Sequence, residues 1–373
     1  MQAEETQTNA NTQLATIVVT ASGSGVNVKD APASIRVVTS EDIQRQPFSS
    51  LAEVVSDWPD VTGGYANAGA GSKITFRGMP DKYTLILVDG KRIGNQSLLG
   101  HRPDKVDQDL NWISPDMIER IEVIRGSMST LYGSEAVGGV INIITKKIPD
   151  RISTSLTGNY SKPDTSSRGE TKELGATLAG PLSSTTGFCL GLNRTERDAD
   201  SDSKGTSGSK NDTANARFTW APSDSNSFNI DTSWGEDKAV TLPGAGEQFG
   251  YEMERYGLGL GHAGKYADGL VTNADVYYNK IRNKDSSFVD DSKVKTQAQE
   301  FVVDLKAVKP LEIANLKNDL TLGAQYKFEQ VSNSSNIGNQ TEDKNGNKIV
   351  PELEPDTYSW SLLQKTKFIC KTT

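Results

Sequence analysis

The chain has almost no cysteine and almost no histidine. Among 373 residues there are two of each: Cys189 and Cys370, His101 and His262. Cysteines so far apart make neither a disulfide framework nor a C-x-x-C metal site, and two histidines exclude a histidine-rich metal centre. Basic charge is also in deficit, with 40 Lys and Arg against 48 Asp and Glu and a formal net charge of −8. A protein that neutralises phosphates along a nucleic acid needs the opposite balance, so nucleic acid is not expected as a partner. No apolar run reaches the roughly 18–20 residues of a spanning helix. The strongest runs, Tyr83–Val88 and Val140–Thr145, have strand length. A helical membrane protein is thereby excluded, but a membrane β-barrel is not, since its apolar residues alternate with polar ones. The opening Met1-Gln2-Ala3-Glu4 lacks the basic start and apolar stretch of a secretory signal.

What is present divides near residue 150. Residues 1–30 are polar apart from a β-prone island, Thr16-Ile17-Val18-Val19-Thr20-Ala21, followed by Ser22-Gly23-Ser24-Gly25. An apolar peptide tethered between flexible stretches suits pairing with another protein's sheet edge, though a frayed first strand reads the same. Residues 31–148 predict a compact α+β domain. Strands are expected at Ser34–Thr39, Lys73–Arg77, Tyr83–Val88 and Gly139–Lys147. A helix is expected to start at Ser40 and another to run from Ser50 to Pro59. Asp89-Gly90 is a tight-turn dipeptide, and Ser114-Pro115 starts a helical turn leading into Ile118–Arg125.

Residues 149–373 read as alternating strands, nine by count, such as Ala214/Ala216/Phe218/Trp220 against Asn215/Arg217/Thr219. Alternation alone fits a half-buried sandwich or a membrane barrel. The strands are long, however, and their polar faces carry Arg217, Asp231, Asp275, Asp304 and Lys306 as a wet lumen would. Their connections also alternate short and long. These features favour the barrel.

Motifs for other chemistry are weak. Gly259-Leu-Gly261-His-Ala-Gly264 matches G-x-G-x-x-G but lies within one strand, where no dinucleotide site is expected. Asp198-Ala-Asp200-Ser-Asp202 resembles a calcium loop, with Ser203 and Ser209 where glycine and glutamate belong. His101, Asp104, Asp107 and Asp109 fall in a polar loop and read as solvated. No catalytic set, resident cofactor or metal is expected.

Thr75-Phe76-Arg77-Gly78, Tyr83–Arg92, Asp109–Gly126 and Leu131–Lys147 together resemble the plug domain of TonB-dependent outer-membrane receptors. The likeness is strongest to the colicin I receptor and ferric enterobactin receptor group. The resemblance implies a plug followed by an antiparallel transmembrane β-barrel of about 22 strands, of which about nine to ten are expected here. It implies a bacterial outer-membrane location and a ferric siderophore, of catecholate type, as ligand. It implies partnership with TonB and the inner-membrane energising complex, contact with outer-membrane lipid, and colicins or phage as further partners. Thr16, Ile17, Val18, Val19, Thr20 and Ala21 match the TonB box. A charged lock between plug and barrel maps onto Arg77, Glu119, Arg120 and Arg125. Ligand contacts map onto the loops carrying Tyr65, Asn67, Arg92, Asn95, Arg102 and Lys105, whose cations and aromatic ring suit an anionic ferric catecholate.

The resemblance is incomplete. Nine strands occupy about 210 residues, too few for closure, and an open sheet in lipid leaves two unpaired edges. Transport is therefore not expected of this chain alone. Its final residues, from Leu363 to Thr373, lose the alternation. One restored T in the codon of Leu363 would read Phe-Ala-Glu-Asp-Lys-Ile-Tyr, in the family's style, so a frameshift near residue 363 is expected. The alternatives are a TonB-engaging fragment without transport, a receptor for haem or vitamin B12, and a passive porin or adhesin. The last of these has no use for a plug.

Overall fold

The computed structural model describes residues 17–18, 26–27, 34–45, 61–62, 74–80, 83–93, 113–132, 134–165, 167–201, 208–240, 249–287, 293–313, 316–335 and 357–369. The helix expected at Ser50–Pro59 and the loop residues Tyr65, Asn67, Asn95, Arg102 and Lys105 lie outside the described residues.

Near the start, β1 (Ile17–Val18) pairs antiparallel with β2 (Val26–Asn27), so the island's centre is a strand held by its own chain. Then β3 (Ser34–Thr39) runs into α1 (Ser40–Arg45). The helix starts at Ser40, as expected, and its cap is Thr39. The Thr39 hydroxyl accepts from the Asp42 amide at 3.2 Å, while the Asp42 carboxylate accepts from the Thr39 amide at 3.0 Å, a reciprocal pairing that closes the helix entry. β4 (Val61–Thr62) pairs with β5 (Thr75–Phe76) as a separate two-stranded ribbon.

The remaining strands of this half join β3 in one sheet: β6 (Thr84–Val88), β7 (Lys91–Arg92), β8 (Ile118–Arg125) and β9 (Gly139–Thr145). The order is β3-β8-β9-β6-β7, with β6 and β9 parallel. A short α2 (Ser129–Tyr132) lies between β8 and β9. Strand β9 reads Gly-Val-Ile-Asn-Ile-Ile-Thr, nearly continuous in apolar residues, as a strand covered on both faces should be. Ile118, Ile121, Val123, Ile124, Val140, Ile141 and Ile143 are all fully buried.

The second half is a single antiparallel sheet of ten strands in sequence order. They are β10 (Ser153–Ser161), β11 (Thr171–Pro181), β12 (Thr186–Arg197), β13 (Gly208–Ser223) and β14 (Asn226–Val240), then β15 (Phe249–Lys265), β16 (Val271–Ser287), β17 (Lys293–Ile313), β18 (Leu316–Ser335) and β19 (Thr357–Ile369). Gly259–Gly264 lie inside β15, as expected. The tenth strand goes beyond the nine read from alternation and lies within the nine to ten expected. β19 pairs with β18 from Thr357 through Leu363 to Ile369, so the segment whose alternation lapses is still a strand. Backbone pairing needs no side-chain alternation, which is why pattern reading stops short there. Among the described residues β10 and β19 do not pair with each other, and the sheet is unclosed.

The two faces of this sheet are inverted relative to a water-soluble protein. Large apolar side chains point outward into the open: Leu156 is 79% exposed, Leu174 68% and Leu258 54%, with Leu192, Ile230, Leu260 and Leu322 alike. Asn215, Arg255, Asn279, Asn283 and Glu300 are buried on the inner face. A soluble monomer does not expose so continuous an apolar face; a membrane barrel must. At the end with short connections, Trp220, Phe228 and His262 stack side by side, with ring centroids 5.3 and 4.8 Å apart. They form one edge of an interfacial aromatic girdle.

Candidate plug–barrel interface

The β6–β7 hairpin makes the central contact between the two halves. Its turn needs two residues with positive φ, and Asp89 (48°) and Gly90 (83°) supply them. The Asp89 carboxylate accepts from the Thr145 amide at 2.9 Å and from the Thr145 hydroxyl at 2.8 Å, and the Gly90 amide donates to the Asn142 side chain at 3.1 Å. The turn is thus tied to β9 before it meets the sheet. From β13, Arg217 donates to Asp89, to Thr145 and, at 2.5 Å, to Asp231 on β14. Lys91 reaches Asp231 at 2.6 Å and Asp275 on β16 at 3.4 Å. Charges therefore alternate from Asp89 through Arg217, Asp231 and Lys91 to Asp275, two of them from the plug half and three from the sheet. Each buried cation meets carboxylates on two sides, the arrangement that makes burial of charge tolerable.

A second junction centres on Glu135. Arg92 donates to Glu135 and to the Tyr132 carbonyl, and Lys327 of β18 reaches Glu135 at 2.9 Å and Glu329 at 3.0 Å. From β16, Asn279 donates to the Arg92 carbonyl at 2.8 Å. Burial works against the Arg92 charge, but Glu135 and the acids around it outweigh burial and hold its pKa above the ordinary value. Burial likewise pushes the Glu135 carboxyl up, and Arg92 and Lys327 overcome this to hold it below the ordinary carboxylate value of 4.5. A group with a lowered folded pKa stabilises fully above its unfolded value and loses that contribution as pH falls through the folded one. Denaturation of the chain followed from neutral pH to well below pH 4.5 is expected to show this contribution constant down to about pH 4.5 and lost below it. Glu135→Gln should flatten the fall. An unchanged slope in that variant would show that Glu135 is not the responsible group.

The third junction is the 3-10 turn Pro115–Met117. The Ser114 amide donates to Asn215 at 3.2 Å, and Thr157 donates to Asp116 at 2.7 Å. Met117 sits against Gly191 of β12 so closely that a Cβ there would lie 2.3 Å from its sulfur, which explains a glycine in mid-strand. Between the first two junctions lies a cavity of about 90 Å³, bordered by Lys91, Arg92, Arg217, Asp231, Tyr277 and Asn279. It has room for a handful of waters.

The residues expected to form the lock lie in the plug half. Arg120 pairs with Glu119 at 2.5 Å and Glu122 at 2.8 Å, within the plug half. Arg125 donates to Ser34 at 2.7 Å, on the neighbouring strand of the same sheet. Arg77 is exposed, at a φ of 52°. Among the described residues, contacts that cross to the sheet are made by Asp89, Lys91, Arg92, Glu135 and Thr145, with Asp116 and Ser114. Arg92, expected as a ligand contact, is buried, and its guanidinium is committed to Glu135 and the Tyr132 carbonyl. Asp200, in the segment resembling a calcium loop, accepts from the Gly169 amide at 2.8 Å and from Arg197, closing the loop between β10 and β11 onto the next one.

Residues 27–140 match the family described as TonB-dependent receptor plug domain. The chain carries the plug of a TonB-dependent receptor. Receptors of this kind are not enzymes, and their place is the bacterial outer membrane, where the outward apolar face of β10–β19 belongs. Over 188 residues the chain is 39% identical to the iron-regulated outer membrane virulence protein of Vibrio cholerae, covering 50% of this chain and 28% of that protein. Over 169 residues it is 39% identical to the ferric enterobactin receptor PirA of Pseudomonas aeruginosa, covering 43% of this chain and 23% of that one. The crystal structure of the siderophore receptor PirA from Acinetobacter baumannii superposes with a TM-score of 0.74 at 25% identity, over 86% of this chain and 51% of that one. The chain thus spans about a quarter of the curated relatives it matches and about half of that solved receptor.

Proposed function

We propose that this chain is the plug-bearing N-terminal part of an outer-membrane receptor that imports iron as a ferric siderophore of catecholate type. The observation that carries the reading is the seating of the plug against the sheet's polar inner face through Lys91, Arg217 and Lys327, while the other face is apolar and open to lipid. A breakable ionic seat inside a membrane sheet suits a stopper that must be displaced. The names of the similar receptors, which bind ferric enterobactin or other siderophores, support the ligand class. Thr16–Ala21 would engage TonB, and Arg77, Glu119, Arg120 and Arg125 would face carboxylates on barrel strands beyond β19. Tyr65, Asn67, Asn95, Arg102 and Lys105 would line the ligand's approach. With a sheet of ten strands, the chain alone would not transport.

Two measurements test this reading. Uptake of radiolabelled ferric enterobactin into a receptor-deficient bacterium should be absent with the 373-residue chain and restored when barrel strands from a related receptor are appended. Haem or vitamin B12 uptake by the same chimera, without siderophore uptake, would overturn the ligand class. Capture of the chain by the C-terminal domain of TonB should be lost on Val18→Pro, because proline removes a pairing amide.

A further inference from the structure

The second junction holds more acid than base. From the plug half come Arg92 and, on the turn Ser134–Ala136, Glu135; from the sheet come Glu300 of β17 with Lys327 and Glu329 of β18. Three carboxylates thus meet two cations where little water reaches, with Glu300 only 3% exposed and Glu329 7%. The cations are shared unequally. Glu135 takes both, Arg92 on one oxygen and Lys327 on the other. Glu329 takes Lys327 on Oε2 at 3.0 Å, and its Oε1 is buried with no hydrogen-bond partner. Glu300 accepts from the neutral Asn279 amide at 3.2 Å, and among the described residues no cation forms an ion pair with it. Glu300 and Glu329 are register partners on the inner face, so two carboxyl groups stand opposite each other across β17 and β18. The first junction differs, for there Asp89, Asp231 and Asp275 each reach Arg217 or Lys91. Around Glu300 stand Arg92 from β7, Tyr277 and Asn279 from β16, and Lys327 and Glu329 from β18, with Glu135 on the far side of Arg92 and Asp304 on its own strand.

We infer that Glu300 binds one proton as the plug seats and gives it up as the plug leaves, so that the stopper's hold depends on pH. An unpaired carboxylate is among the costliest groups to bury, whereas the carboxylic acid is merely polar and carries a hydrogen-bond donor. A second anion facing Glu329 would add repulsion to that cost. With the proton bound, two carboxylates balance two cations, and the junction gains a donor beside the orphaned Glu329 oxygen. Seating supplies the burial. Asn279 donates both to the Arg92 carbonyl and to Glu300, so the plug lies directly over this carboxyl. When the plug withdraws, Arg92 and Glu135 go with it, and the wall keeps Glu300, Glu329 and Lys327 facing water. There the O–H bond breaks, the proton passes to water, and the electron pair stays on a solvated carboxylate. The sign follows from which state holds the proton. The seated state holds it, so each pH unit upward weakens the seat by up to about 10-fold, the slope for one proton. This is opposite to the loosening in acid that follows from Glu135.

The inference rests on the reading of the plug as a displaceable stopper, and the test separates the two. The full 373-residue chain, refolded into phosphatidylcholine vesicles, is probed by limited proteolysis across a urea series at fixed pH values from about 5 to about 8. The equilibrium between seated and cleavable plug, read from cleavage within residues 83–145, should shift toward cleavable by up to about 10-fold per pH unit over part of that range. Glu300→Gln keeps an acceptor for Asn279 and carries no charge, so its seat should hold as firmly at about pH 8 as at about pH 5. If that variant does not fold, the wild-type chain decides alone. In lightly buffered solution near pH 6, urea-driven opening should release about one proton, followed with an indicator dye; release of none overturns the inference. A wild-type seat indifferent to pH, a slope that survives in Glu300→Gln, or a slope that vanishes instead in His101→Gln with His262→Gln overturns the proton site and leaves the stopper standing. Cleavage within residues 83–145 without urea at every pH overturns both.

Discussion

Arg217→Ala is expected to loosen the plug from the sheet by about 3–5 kcal/mol, the cost of stripping the partner from buried charges. Its guanidinium touches Asp89, Thr145 and Asp231 at once, so its loss leaves Asp89 with the Thr145 donors and no neighbouring guanidinium. Asp231 suffers less, because Lys91 stays at 2.6 Å. The two acids should therefore respond differently in double-mutant cycles, with strong coupling of Arg217 to Asp89 and weaker coupling to Asp231. Arg217→Lys should recover only part of the loss, since one ammonium cannot span three acceptors that a planar guanidinium reaches together. Limited proteolysis of the refolded chain across a urea series reads the effect as earlier cleavage within residues 83–145. Cleavage at wild-type urea concentrations would refute the assignment of Arg217 as the central anchor.

A second large effect is expected on the opposite face. Leu258 lies mid-height on β15, between the Trp220–Phe228 pair near the short turns and the Trp234–Tyr256 pair above, and is 54% exposed on the outer side. Leu258→Arg should cost about 2–4 kcal/mol in a bilayer, as for a cation at the midplane of a barrel wall. Leu182 is more exposed, at 61%, but sits at a short connection near the interface. Leu182→Arg should cost about 0–1 kcal/mol. Equilibrium unfolding in phosphatidylcholine vesicles compares the two. Equal costs for the two substitutions would refute the assignment of this face to lipid, because depth in the bilayer is what separates two leucines of similar exposure.

Much of the architecture is legible in the residues because strand alternation is local. Phe228, Ile230 and Trp234 announce an outward face without knowledge of any neighbour, and Asp89-Gly90 announces a tight turn. β19 escapes this reading because the run from Leu363 no longer alternates, although its backbone pairs with β18 along thirteen residues. The helix starts at Ser40 as read, but the hydroxyl that closes the box belongs to Thr39, and only geometry shows which of the two neighbouring hydroxyls does so. The seat of the plug is the hardest part. Arg217 and Asp231 are recognisable as charges on an inner face, but Arg217 meets Asp89 across 128 positions and Asp231 meets Lys91 across 140. No local pattern encodes a partnership over such distances. For the same reason Arg92 looks like a free cation in a loop until Glu135, 43 residues on, is seen to claim it.

The order β3-β8-β9-β6-β7 places the strand closest to the N-terminus at one rim, bound to β8 alone, and the anchored turn at the other. Tension entering the chain from its beginning would reach β3 first and could peel it away bond by bond, as a zip opens. The Ile118–Ile143 interior would stay closed, and the clasp of Arg217 on Asp89 would carry none of the load until that interior began to part. The plug is thus built like a tear strip. Its near edge yields to a small steady pull, and its far edge stays pinned to the wall, so a passage could open along one side while the rest of the stopper remained folded in place.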